Sequence, residues 1–379
     1  MKYKKDWDNV KNKWTDYWNR ENKGRPLMYI VADRPELVNS KYQAELKSKG
    51  FEDKYLNAER IAERYRYYCE THEFMAESFP NVSVDLGPGS MAAYLGCDVK
   101  ESGNSIWYEH FVEDWGNYKE IKFDPQAQWF KKHLDTYKKV RDIAGDDFYV
   151  GIPDIIENLD ILSSMRGTQD IIFDMIDNPQ EIKKRIKQID DIYFEYYDRF
   201  YDTAQNNNGG SCYTVFQIWG EGKTAKLQCD FSALLSQDYF NEFVVPSLRA
   251  QAKKLDNVLY HLDGPDAIKH MPALMEIEEI DALQWTSGDY NPDGTFEQWY
   301  EIYDMAVLAG KGLWVRVYTG EYEEWLERID RLVERYGSNA LFLFFPQMSV
   351  DKANELIAYA DKNWSDIKGS ILSQRGNNE

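Results

Sequence analysis

Asn257-Val-Leu-Tyr-His-Leu-Asp-Gly264 is the stretch whose reading decides the fold. A short apolar run, Val258-Leu259-Tyr260, ends in His261, Asp263 and Gly264, and a helix-like segment follows over 267–275. Run, polar tip, glycine and helix outline a β-strand handing over to an α-helix. Side chains alternate along a strand, so His261 and Asp263 point the same way. At the carboxyl end of a strand in an α/β fold, that sets an imidazole and a carboxylate side by side where ligands usually bind. A purely structural role fits the same residues, with His261 a satisfied core histidine and Asp263 the cap of the next helix.

Outward from this stretch the pattern repeats. Residues 1–22 read as an amphipathic leader helix with Trp7, Val10, Trp14 and Trp18 at helical spacing. After Arg25-Pro26, strand-like runs are expected at 27–31, 81–85, 148–152, 211–218, 258–263, 280–284, 313–317 and 340–345, with helical segments between them, among them a long one over 55–79. The glycines of Leu86-Gly87-Pro88-Gly89 permit positive φ and close backbone approach, but neither GxGxxG nor GxxxxGK is present. The polar, aromatic segment 97–124 is expected to lie over a pocket. Eight strand-like runs alternating with helices, with no Gly/Ser/Pro-rich linker, predict an α/β fold, a single (β/α)8 TIM barrel over 25–368. An N-terminal helical extension over 1–24 precedes it and a polar tail over 369–379 follows; two doubly wound domains are the rival architecture. A barrel would gather the strand tips Asp33, Arg34, Asp85, Asp154, Glu157, Glu221, His261, Asp263, Ser287, Asp289 and Gln347 around one pocket.

Composition narrows the partners. The 379 residues carry a net charge of −20, which argues against nucleic acid and anionic membranes. No apolar run of about 18 residues exists, so no membrane span is expected. The four cysteines, Cys69, Cys97, Cys212 and Cys229, lack CxxC spacing, which fits reduced thiols in a cytoplasmic protein. Aromatic residues make up 15% of the chain; they suit sugars, planar rings or methylammonium groups, or simply build the core. An exposed aromatic face would suit a symmetric homodimer.

Several segments, in order, resemble the uroporphyrinogen decarboxylase superfamily, which also holds the corrinoid-dependent methyltransferases. They are Arg25-Pro26 ahead of strand one, Leu86-Gly87-Pro88-Gly89 through Leu95-Gly96, Asp177-Asn178-Pro179, the block from Phe231-Ser232 to Pro246, and His261-Leu-Asp-Gly264. The resemblance covers about 25–365 and implies a (β/α)8 barrel. Two differences stand out. The arginine-rich stretch that grips porphyrinogen carboxylates is here Val31-Ala-Asp-Arg-Pro35, with one arginine. In the family's zinc methyltransferases a cysteine stands at the place of Asp263 and another follows later, whereas here no cysteine follows Cys229.

The first expectation is therefore a methyltransferase-like enzyme on a small substrate, with a corrinoid protein as possible partner. Its catalytic residues would be His261, Asp263 and Glu221, the same three holding zinc through N and O atoms. Substrate would meet Arg34 as a carboxylate clamp, with Asp85, Gly87, Asp154, Trp219, Trp285 and Gln347 around it. The alternatives are a carboxylate-driven enzyme on a sugar or polyol, using Glu221, Asp263 and Asp154 against Trp219, Trp285 and Trp107, and a non-catalytic small-molecule binder.

Overall fold

The computed structural model describes residues 1–103, 105–204, 210–288 and 291–375. Asp289 lies outside these residues. In chain order the strands are β1 (Leu27–Asp33), β2 (His72–Ala76), β3 (Asn81–Ser83), β4 (Asp98–Ser102), β5 (Ser105–Glu109), β6 (Tyr149–Gly151), β7 (Ser211–Tyr213), β8 (Ile218–Gly220), β9 (Thr224–Gln228), β10 (Asn257–Asp263), β11 (Ala282–Thr286), β12 (Gly312–Arg316), β13 (Leu341–Phe344) and β14 (Met348–Ser349).

Strands β9, β10, β11, β12, β13 and β1 lie side by side in that order, all parallel. β14 continues along the β13 side of β1, and β2 pairs antiparallel on the other side. β3 and β6 form a separate parallel pair, while β4–β5 and β7–β8 are hairpins. The fold is thus α/β on a mostly parallel sheet, as expected, but its hydrogen-bonded path is open, ending at β9 and β2. No helix among the described residues is long and apolar enough to cross a membrane.

The register shows which residues share a face. His261 is paired with Gln228 and Gln284, Gln284 with Trp314, Trp314 with Phe342, and Phe344 with Tyr29 and Arg316. Because side chains alternate, Lys226, Gln228, His261, Asp263, Gln284, Thr286, Trp314, Arg316, Phe342, Phe344 and Tyr29 stand on one face. The opposite face carries Tyr260, Leu262, Leu283, Trp285, Leu313, Val315, Leu341, Leu343 and Ile30, all buried. Burial on both faces explains the near-continuous apolar runs of these strands.

Three expected elements differ. The helix over 55–79 stops early: it spans Ala58–Thr71, with the Asn57 side chain accepting from the Arg60 backbone N–H. Residues 72–76 instead pair with β1, filling backbone hydrogen bonds that the edge would otherwise lack. The run 211–218 is broken after Tyr213 by a 3-10 turn at Thr214–Phe216, and Gln217 sits in the left-handed region at φ 53°. The chain then reverses through β8 and supplies β9, a strand not anticipated. The sixth expected strand is displaced from 280–284 to 282–286.

The leader helix, Trp7–Trp18, buries the expected stripe of Trp7, Val10, Trp14 and Trp18. Trp7 packs against Trp219 with ring centroids 5.5 Å apart and donates to Tyr149 Oη at 2.8 Å. Lys13 reaches the buried Glu77 at 2.7 Å, and the Arg25 guanidinium grips the same carboxylate at 2.6 and 3.1 Å. This helix is part of the core. Trp14 has no exposed surface, so Trp14→Ala should lower unfolding free energy by about 3–5 kcal/mol in a urea titration. Trp107→Ala, at a 64% exposed side chain, should leave the midpoint nearly unchanged.

Candidate functional site

The carboxyl ends of β9 and β10 bring three ligand-type side chains together. One ligand atom each of Asp230, His261 and Asp263 lies within 4.8 Å of the others. Asp230 lies two residues past the end of β9, whereas His261 and Asp263 sit two apart on the inner face of β10. His261 Nδ1 meets Gln284 Oε1 on the neighbouring strand, and Gln284 Nε2 donates to Thr286 Oγ1 at 3.0 Å. With Nδ1–H donating to that amide oxygen, Nε2 keeps its lone pair free for a ligand. Burial, reinforced by the Lys226 ammonium, holds the His261 pKa below the usual value and favours the neutral ring that metals bind. The Phe216 ring packs beside the imidazole at 5.0 Å.

Behind this triad lies a buried ionic network. Lys226 is fully buried and its Nζ pairs with Asp154 Oδ1 at 2.8 Å. Tyr213 Oη donates to the same oxygen at 2.7 Å. Lys226 also donates to Gln228 Oε1, and Gln228 Nε2 donates to Asp230 Oδ2 at 2.9 Å. The chain Asp154, Lys226, Gln228, Asp230 therefore runs unbroken to the triad. Asp160, in the first turn of the helix Asn158–Arg166, accepts from the backbone N–H groups of Asp230 and Phe231 at 2.9 and 2.8 Å. Glu157 accepts from Gln228 N at 2.7 Å. Ile156 and Asn158, on either side of Glu157, both have left-handed φ values, 52° and 47°. A β-branched residue there is strained, and such strain concentrates at functional sites.

One ammonium faces several carboxyl groups, and burial dominates their titration. It pushes Glu157 up to about 8 and Asp160 up to about 7, the latter helped by the Asp230 charge. Asp85 is raised to about 8 by burial and then by the Asp154 charge. Its Oδ2 accepts from Asp154 N at 3.2 Å. For Lys226, burial works to lower the pKa, but Asp154 and Glu157 outweigh it and leave the group raised.

Cavities open beside Asp230 and beside Asp85. One of about 820 Å³ is lined by Asp160, Asp230, Phe231 and the β4–β5 hairpin residues Ile106, Trp107 and Tyr108. The segment 97–124 thus covers a pocket, as expected. A cavity of about 280 Å³ touches Asp85, Gly87, Pro88 and Ile106. Gly87 has φ 82°, and a Cβ there would meet Ile106 at 2.9 Å, so a side chain would be excluded.

The other predicted site residues separate into two groups. Asp85, Gly87 and Asp154 lie in or directly behind the site, and exposed Gln347 lines a further cavity, where it donates to Tyr68 Oη at 2.6 Å. Four lie elsewhere. Glu221 sits in the β8–β9 turn, at the amino end of β9, where its backbone carbonyl accepts from Asn257. Trp219 is buried under the leader helix, its carbonyl accepting from Trp18 Nε1 at 2.8 Å. Trp285 faces the helix layer, 5.1 Å from the Trp299 ring. Arg34 is paired with Glu73 on β2. Asp230, Lys226 and Gln228 were not predicted; the available signal was a lysine, a glutamine and an acidic residue at i, i+2 and i+4.

The raised carboxyl groups carry a pH signature. Glu157 keeps its proton in the folded protein to about pH 8, whereas the unfolded group ionises near about pH 4. Between these values the folded state binds more protons, so stability falls as pH rises, by at most about 1.4 kcal/mol per pH unit for one group, and levels off above about pH 8. Glu157→Gln should flatten this slope: urea titrations at pH 5, 6.5 and 8 should show the variant gaining on the parent with pH. A gap independent of pH would contradict the assignment.

Neither a protein-family model nor a curated protein matches this chain.

Proposed function

We propose that the chain is a metal-dependent enzyme on a (β/α)8 barrel of the uroporphyrinogen decarboxylase-like kind, moving a methyl group to or from a small substrate. The observation that carries the metal is the convergence of Asp230, His261 and Asp263 within 4.8 Å. An imidazole and two carboxylates suit zinc or another borderline divalent ion. When bound, such an ion supplies Lewis acidity that lowers the pKa of a substrate hydroxyl or thiol. Gln284 orients His261, Gln228 orients Asp230, and the protonated Asp85 carboxyl is a proton donor facing the neighbouring cavity. A corrinoid protein as methyl partner belongs to the same reading.

The barrel reading is supported by links across both open edges of the sheet. Ile152 N donates to Cys212 O at 2.8 Å, and Thr224 N to Ser211 Oγ at 3.0 Å, so β6, β7 and β9 are connected. Glu77 N donates to Met28 O at 3.0 Å, tying the segment before β3 to β1. Methyl transfer is supported by the motif order and by the His-x-Asp tip at the family's metal position.

The test is metal content by elemental analysis after loading with zinc or manganese and gel filtration. About one equivalent is expected in the parent and in Glu221→Gln, and almost none in His261→Ala or Asp230→Asn. A parent that retains no metal, or a His261→Ala protein that keeps it, would sink the metal assignment. Methyl transfer is read separately, as metal-dependent demethylation of methylcobalamin with thiol or hydroxyl acceptors; no change in its visible spectrum across the acceptors would reject that step.

A further inference from the structure

The cavity on the other half of the same sheet face differs in charge. It has a volume of about 770 Å³ and is lined from β1, β3, the 214–217 turn, β12 and the end of β13. Its lining includes Lys54, Arg64 and Arg316 and no aspartate or glutamate. In a chain with 65 acidic and 45 basic residues, a lining that holds cations and no acidic side chain stands out. Two of the cations are already engaged. Arg64 bonds to Asp53 Oδ2 at 3.1 Å, and Lys54 pairs with Glu101 at 3.1 Å. Arg316 has no ion pair among the described residues. Its guanidinium is exposed and rests against the rings of Tyr318 and Phe344, at 5.4 and 6.0 Å.

The walls are aromatic. Tyr65, Tyr68 and Phe344 line the cavity, with the amide of Gln217 at its floor. Gln217 Oε1 accepts from Tyr29 Oη at 2.5 Å and Asn81 Nδ2 at 2.7 Å, so that floor is fixed. The residue before it, Phe216, packs on His261. Arg316 and Asp263 stand at the carboxyl ends of β12 and β10, with one strand between them, so their backbones are about 10 Å apart.

We propose that this cavity binds the carboxylate end of the substrate, a small aromatic or unsaturated carboxylate, with Arg316 as the anion-binding residue. The position of the reacting end rests on the metal reading above; the anion site itself does not. A single free guanidinium matches a carboxylate through two parallel N–H···O bonds. A phosphate dianion would call for more free donors than the engaged Arg64 and Lys54 leave. The flat walls hold the planar body, and the body's far end reaches toward His261 and Asp263.

Benzoate is the probe, titrated calorimetrically into the full chain. Measurable binding is expected, weaker at least tenfold in Arg316→Gln and partly restored in Arg316→Lys. Benzamide, the neutral isostere, should bind the parent at least tenfold more weakly than benzoate, a comparison that needs no variant. Metal content and melting temperature of Arg316→Gln should match the parent. No benzoate binding, equal binding of benzamide, unchanged affinity in Arg316→Gln, or tighter binding of inorganic phosphate would each overturn the proposal. Loss of metal from the parent would instead strike the preceding reading, since benzoate binding is scored without the metal.

Discussion

The Lys226 ammonium is the constraint from which the site follows. It has no contact with solvent. An isolated buried charge is very costly, and removing one partner of a buried pair typically costs about 3–5 kcal/mol. Lys226 is held by the Asp154 carboxylate and the Gln228 amide together. That requirement docks the loop after β6 onto β9 and sets the rotamers of Lys226 and Gln228. Gln228 then has its amide N–H left for Asp230. The placement of Asp230 is thus inherited from a salt bridge at Lys226, four residues earlier in the chain.

The same sheet face divides into two halves with different physics. From β9 to β11 it is polar: Lys226 bonds to Gln228, and separately His261 to Gln284 and Gln284 to Thr286. From β12 to β1 it is aromatic, with Trp314 stacked on Phe344 at 5.2 Å and Phe344 on Tyr29 at 5.1 Å. The 214–217 turn lies where the halves meet. Trp314 Nε1 donates to Phe216 O at 2.8 Å, so the aromatic half holds the turn that packs on the histidine of the polar half. The face therefore presents imidazole and carboxylate groups at one end and flat rings with the Arg316 guanidinium at the other.

How much of this was legible in the sequence depended on local context. Val258-Leu259-Tyr260 ahead of a His-x-Asp-Gly tip reads as a strand because apolar burial and the glycine turn agree, and β10 forms there. β9 was hidden because Thr224, Lys226 and Gln228 occupy its inner positions; polar residues on a face normally read as buried made it look like a loop. With β9 unseen, Trp219 and Glu221 were assigned to a strand tip, when the β7–β8 reversal carries them to the opposite end of the sheet. The displacement of β11 by two residues similarly made Trp285 a tip residue and hid Gln284, the partner that orients His261. Local propensity cannot register either event, since both depend on which strand lies alongside.

Charge balance connects these parts. Asp85, Glu157, Asp160 and Asp230 are all held above the ordinary carboxylate range by burial. Lys226 lowers each of them, but desolvation outweighs this one positive charge and leaves all four raised. Without further positive charge the cluster stays partly protonated. A divalent ion on Asp230, His261 and Asp263 would supply it at the open end of the network, where the Asp230 carboxylate is already held by Gln228. Asp263 in the His-x-Asp tip fits the same balance: a carboxylate offers an oxygen donor without the deprotonation that a thiol would need. Asp230, His261 and Asp263 thus offer nitrogen and oxygen donors, the set that hard or borderline divalent ions accept.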